Sequence, residues 1–410
     1  MIYPQDTPRQ GPPVNHLPPK QAGPRRRKIP TLLKVAFALA LLLCLVAASF
    51  LFLQNGRGTP AAPAQTSAPV LSKPWCAAPD ALASKFSGGN LTSLAANDVW
   101  SAGAKITHWD GKNWNTSYTS LSSQDSLRGI VELAPNDVWA VGEHQMGGMP
   151  SQPLTLHWNG TRWQRVSAPE VAAGGKNALV AISGSSASDL WAVGFAVPLQ
   201  GPMVPLLEHW NGMQWSLVRQ SSTASLQFTS VKALGQKNVW AVGYEYSYNA
   251  GKSVVQPVTE HWNGAKWSAV ANPDLSANGG GNLYSINGNA ANNLWAVGSQ
   301  GNGSQLLTEH WDGAKWSIVV SPSVAPSNSN WLASVVVNGS NSVWAVGRVS
   351  GSSGFQPFIE HWNGAQWEIL QDPTGNAGEL DTITSVGSQL WVTGLPQSAG
   401  GHAFVETLCP

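Results

Sequence analysis

Apolar positions along this chain follow two unlike patterns. From Val35 to Leu53 run nineteen residues without a charge. As a helix rising 1.5 Å per residue this segment would span about 28 Å, close to one bilayer core. Beyond residue 90 the apolar runs become short and are bounded by Gly, Asn, Asp and Ser, the signature of strands separated by turns, and no segment there holds a helical period for more than a turn.

The strand pattern repeats. The string Trp-Ala-Val-Gly begins at Trp139, Trp191, Trp240, Trp295 and Trp344, with variants at Trp100 (WSAG) and Trp391 (WVTG), which makes seven copies at spacings of 39, 52, 49, 55, 49 and 47 residues. Such spacing belongs to propeller blades rather than to helical repeats. Six copies are followed by His-Trp-(Asn/Asp)-Gly-x-x-Trp, from His108 to Trp114, His157 to Trp163, His209 to Trp215, His261 to Trp267, His310 to Trp316 and His361 to Trp367. Asn-Gly or Asp-Gly between strand residues is the strongest short hairpin signal, and a type I′ turn is expected there. The two flanking tryptophans then share one sheet face and pack on the next blade. Each unit reads as four antiparallel strands, for example 282–288, 293–298, 304–312 and 315–320. The expected fold is all-β: a seven-bladed β-propeller over residues 72–410, preceded by one transmembrane helix.

The seventh unit ends at Phe404–Pro410 without a second hairpin strand, and Lys73-Pro74-Trp75-Cys76 resembles the outer strands of the other units. Residues 72–78 are therefore expected to complete that blade, covering two sheet edges at once. Cys76 and Cys409 would then lie on neighbouring strands, and a disulfide between them is expected.

The WAVG and HWNG elements resemble those of the Kelch and galactose-oxidase-central-domain class of propellers. They are more similar still to uncharacterised bacterial surface proteins with tandem NDVWAVG…HWNGxxW repeats. The Gly-Gly doublet of true Kelch repeats is not regular here, the Trp-Asp strand end of WD40 blades is missing, and no Tyr, Cys and His set matches the copper site of galactose oxidase. The resemblance thus implies a fold and carries over no activity.

Charge adds an asymmetry. Of 23 Lys+Arg and 22 Asp+Glu, residues 1–57 hold eight basic and one acidic, leaving fifteen against twenty-one in residues 58–410. The basic cluster Arg25–Lys28 before the apolar stretch predicts a cytoplasmic Pro-rich tail (1–30), a signal-anchor helix (31–53), a Pro/Ala/Ser/Thr stalk (54–71) and an extracytoplasmic propeller at the cell membrane. Cys44 reads as a packing or lipid-facing residue. The mildly acidic remainder offers no footprint for nucleic acid.

Chemistry is sparse. The six repeated histidines, one per blade, are too far apart to share a metal ion and are expected to make structural hydrogen bonds, assisted by the preceding Glu208, Glu260, Glu309 or Glu360. Glu143 and His144 read as loop residues without a third catalytic partner, and no catalytic constellation, metal site or cofactor motif is recognised. The five arginines beyond the stalk, Arg128, Arg162, Arg165, Arg219 and Arg348, are assigned mostly to outer or edge strands. Long connections leave one face of the ring while tight Asn-Gly turns close the other, so binding is expected on the long-loop face. Candidate binding residues there are Tyr244, Tyr246 and Tyr248, an alternating aromatic stripe, and Trp331. The sequence is read as a binding module for an extracellular polysaccharide, peptide or protein partner. The alternatives are a glycan-active hydrolase or lyase using the channel and a passive structural surface protein.

Overall fold

The structure, a computed structural model, describes residues 75–77 and 88–408, other than 121–123, 146, 148–149, 219–224, 250–251, 302, 323–328, 352–353, 371–377, 388 and 397–402. The described chain forms seven four-stranded antiparallel sheets. Six are built from four consecutive strands each, over residues 90–118 (blade I), 125–166 (II), 176–217 (III), 225–270 (IV), 281–318 (V) and 331–370 (VI). The other sheet is composite: Gly378–Val386, Gln389–Pro396 and Phe404–Leu408 are completed by Trp75–Ala77.

The fold expected from the sequence is corrected on two points. Counted as self-contained units of four strands, the blades number six, not seven, because the Trp391 unit has no hairpin of its own and takes its fourth strand from the far end of the described chain. Among the described residues no helix is long and apolar enough to cross a membrane, and the one described helix is a 3-10 turn at Ser276–Asn278. The expected tail, anchor helix 31–53 and stalk lie outside the described residues. In the composite sheet Cys76 stands opposite Thr407, and Cys409 lies outside the described residues.

The repeated tryptophans explain how the sheets pack. Six of the seven motif tryptophans are wedged between the two hairpin tryptophans of the following blade: Trp100 meets Trp158 and Trp163 with ring centroids 5.5 and 5.6 Å away, and Trp139 meets Trp210 and Trp215 at 4.8 and 5.7 Å. Trp191, Trp240 and Trp295 repeat the arrangement, and Trp391 closes it against Trp109 and Trp114 at 6.1 and 6.2 Å. Trp344 instead packs among Leu380, Ile383, Leu390 and Val392 of the composite sheet. These tilted and edge-on contacts bury large apolar areas at six interfaces, and aliphatic packing serves the seventh.

The hairpins are longer than a type I′ turn. Trp158 pairs with Trp163, leaving a four-residue loop in which Asn159 Oδ1 accepts from the backbone N–H groups of Thr161 and Arg162 at 3.1 and 3.0 Å. The Asn or Asp side chain thus folds the turn itself, and the following glycine takes the left-handed conformation, as at Gly160 with φ 90°. On the same face each motif histidine stacks beside its Trp and bonds to the residue at the start of the second strand: His157 to Asp137 at 2.9 Å, His209 to Asp189 at 2.8 Å and His310 to Asn293 at 3.0 Å. Among the preceding glutamates, Glu208, Glu309 and Glu360 do not assist. Alternation along the strand sends them to the opposite face, where Glu309 accepts from Asn272 at 2.7 Å and Ser321 donates to Glu360, each partner in a connection from the preceding blade. Inner strands are tied around the ring by hydroxyls, Ser183 Oγ accepting from Ala233 N–H at 3.0 Å and Ser230 Oγ from Ile286 N–H at 3.2 Å.

Candidate recognition face

The glycine of the WAVG motif builds the channel mouth. In blades II to VI and the composite sheet the inner strand carries one extra residue opposite the second strand, at Arg128, Val180, Thr229, Tyr284, Ala333 and Asp381. Such a bulge turns one side chain out of the ladder. It also drives a backbone carbonyl into the space above the motif glycine. A Cβ on Gly142, Gly194, Gly243 or Gly347 would lie 2.0 Å from the carbonyl oxygen of Ser126, Ala178, Gln227 or Trp331 respectively. Only glycine fits there. Sequence reasoning found the glycine and missed the bulge, although a signal was present: the apolar residues flanking the bulge stand three apart, as in Leu127/Ile130, Leu283/Ile286 and Leu380/Ile383, and both members are buried in the same cluster. A period of two cannot put such a pair on one face without an extra residue.

Four of the ejected side chains contribute to two regions on the face bearing the inter-blade connections. The first is an aromatic arc. Tyr244 lies 5.5 Å from Tyr246 and 6.4 Å from Tyr284; Tyr284 lies 6.4 Å from Trp331, and Trp331 lies 6.2 Å from Phe355. Three of the four aromatic residues expected at a site are thus placed in one path across blades IV, V and VI, joined by Tyr284, which the sequence reading did not single out. Tyr246 is 41% exposed. Tyr248 stands opposite Ser253 on the same second strand. Burial, with Tyr246 and Tyr284 close by, raises the Tyr244 phenol above its ordinary range. The Arg348 guanidinium is held between Trp331 and Phe355, 3.4 and 3.7 Å from their ring centroids, and pairs with Glu379. Arg348 therefore lies in the middle of the face, not at an edge.

The second region is polar. Asn90, Arg128, Val180, Asp381 and Thr382 line a cavity of about 310 Å³. Thr382 Oγ1 donates to Asn90 Oδ1 at 2.7 Å. Arg128 is engaged by Glu143 at 2.9 Å, and Glu143 also takes Lys176 at 3.2 Å and the Ser151 hydroxyl at 2.8 Å. Burial alone would raise the Glu143 carboxyl, but these three donors outweigh it and hold it below its ordinary range. Glu143 and His144 are strand residues and not loop filler: they end the second strand of blade II, with His144 bonded to Asp125. Asp381 differs from the other charged groups of the mouth, since among the described residues no hydrogen bond or ion pair reaches it. Burial, then the charge of Glu379, push its carboxyl up to about 6 against the opposing pull of Arg348. Among the described residues no group of three or more His, Cys, Asp or Glu side chains is placed to hold a metal ion.

No family model matches the sequence, and no curated protein does. Among solved structures the chain is similar to one titled "YCF48 bound to D1 peptide", with a TM-score of 0.55 and 14% identity over 85% of this chain and 100% of that one. It is likewise similar to "YCF48 from Cyanidioschyzon merolae", with a TM-score of 0.51 and 15% identity over 82% of this chain and 99% of that one. At these identities the likeness is one of fold. The chain is a β-propeller.

Proposed function

We propose that this propeller is a binding module for a protein partner and that it engages an extended segment of that partner on the face bearing the aromatic arc. The observation that carries the reading is the continuous path Tyr244–Tyr284–Trp331 across three blades. Half-buried rings on a rigid scaffold provide contact area at little cost in side-chain entropy. The rings do not form a flat platform for sugar faces: successive interplanar angles are 89°, 79° and 59°. Tilted rings leave notches that suit the alternating side chains of a peptide. The YCF48 structure bound to a peptide is in keeping with this use of the fold.

The test is retention of the purified full-length chain on parallel arrays of peptides and glycans. Peptide retention that falls at least tenfold in Tyr284→Ala supports the reading. Retention confined to glycans, or peptide binding indifferent to Tyr284→Ala, overturns it.

A further inference from the structure

The polar end of the same face has a feature the aromatic arc does not explain. Asp381 is thrown out of its strand by the bulge between Leu380 and Thr382 and lines the cavity at the channel mouth. The other carboxylates nearby are already engaged, Glu379 by Arg348 and Glu143 by Arg128 and Lys176. Among the described residues Asp381 alone of these carboxylates has no hydrogen-bond or ion-pair partner, feeling Arg348 only at a distance, and a half-buried carboxylate in that state is costly unless a cation or donor reaches it.

We infer that the cavity is a specificity pocket for a basic side chain, lysine or arginine, of the peptide segment that lies along the aromatic arc, with Asp381 as its counter-ion. This rests on the peptide-binding reading above and names the chemistry of the partner. Size agrees: about 310 Å³ lies at the bottom of the usual range for ligand pockets, room for one side chain and not for a large cofactor. The lining agrees too. Asn90, its amide N–H donated to the Arg128 carbonyl and its Oδ1 accepting from Thr382, forms a fixed polar wall, and the side chain of Arg128, another lining residue, is paired with Glu143. Continuity with the arc is direct, because Arg348 contacts Trp331 on one side and Glu379 on the other, two residues before Asp381. The arc already stacks one guanidinium between Trp331 and Phe355, the environment a second cation would cross on its way in. Burial and the neighbouring Glu379 hold the Asp381 carboxyl above its ordinary range, and the charge of an incoming cation opposes both by favouring the ionised form.

The experiment uses the full-length chain and fluorescein-labelled dodecapeptide pools, randomised except for one central residue fixed as Lys, Arg, norleucine or Glu. Lys and Arg pools should bind about tenfold more tightly than the norleucine and Glu pools, the scale of one charge-assisted contact. Asp381→Asn should bring them down to the norleucine level while leaving the norleucine pool unchanged, and Asp381→Lys should turn the preference toward Glu. Equal binding by all pools, or a basic preference that survives both substitutions, overturns the pocket and leaves peptide binding standing. If no pool binds, the broader reading fails with it.

Discussion

Glu208 provides a sharp test of how the interfaces between blades are held. It sits on the third strand of blade III with no exposed surface, and among the described residues neither carboxyl oxygen has a hydrogen-bond partner. Burial raises its pKa to about 8. At neutral pH the group is therefore protonated in the fold and ionised in the unfolded chain, whose carboxyl titrates near 4.5. The folded state binds the extra proton, so stability is full below the unfolded value and is lost as pH rises toward about 8. One proton corresponds to about 1.4 kcal/mol per pH unit, or about 3 kcal/mol between pH 4.5 and pH 7, as an upper bound. Glu208→Gln keeps the shape and cannot ionise, so it should abolish this group's share of the pH dependence. Urea unfolding of wild type and variant at pH 4.5, 5.5, 6.5 and 7.5 isolates that share, because every other titration cancels in the difference. The variant should gain on the wild type steadily with pH, whatever its offset at the acid end. Parallel curves would refute the argument, since they would mean that Glu208 is solvated or paired in solution. Glu309 and Glu360, raised by burial to about 7 and about 8, should give the same sign.

Two further outcomes test the packing logic. Gly243→Ala places a Cβ 2.0 Å from the Gln227 carbonyl and should cost about 3 kcal/mol or more. Gly235→Ala, with nothing within 4 Å, should stay within about 0.5 kcal/mol, and equal effects at the two sites would rule out the bulge as the reason for the motif glycine. Trp391→Ala removes the wedge between Trp109 and Trp114 and should cost about 3–5 kcal/mol in chemical denaturation, the same as Trp139→Ala. A much smaller loss at Trp391 would mean that the composite sheet frays independently of the other blades.

What the sequence made legible was whatever recurs. Trp, His, Asn and Gly stand at fixed offsets, and each offset corresponds to one contact: Trp139 between Trp210 and Trp215, His157 on Asp137, Asn159 folding its own turn. Tyr244, Tyr246 and Trp331 drew notice because they break the repeat near a loop, and the path between them was invisible because Tyr284 sits inside a strand that looks regular. The glutamates were misassigned for a simpler reason. Adjacency to histidine in sequence implies opposite faces in a strand, and Glu309 accordingly meets Asn272 from the preceding blade.

The same bulge reconciles a rigid repeat with a specific surface. The motif glycine and the apolar pair three apart hold the bulged inner strands in a common backbone conformation, so the ejected residue is not needed for the bulge itself, although Thr229 still ties its strand to Val242 and Leu283 through their carbonyls. The ejected residue is Arg128, Val180, Thr229, Tyr284, Ala333 or Asp381, with no common chemistry. A position whose backbone is fixed and whose side chain is free to differ is where a repeat fold can write recognition without losing stability. Four of the six already do so in visible ways: Tyr284 bridges the arc, and Arg128, Val180 and Asp381 share the cavity. Exchanging Asp381 should therefore alter binding while leaving the unfolding midpoint nearly unchanged, whereas exchanging the glycine opposite a bulge, as at Gly243, should lower the midpoint and displace the bulge with it.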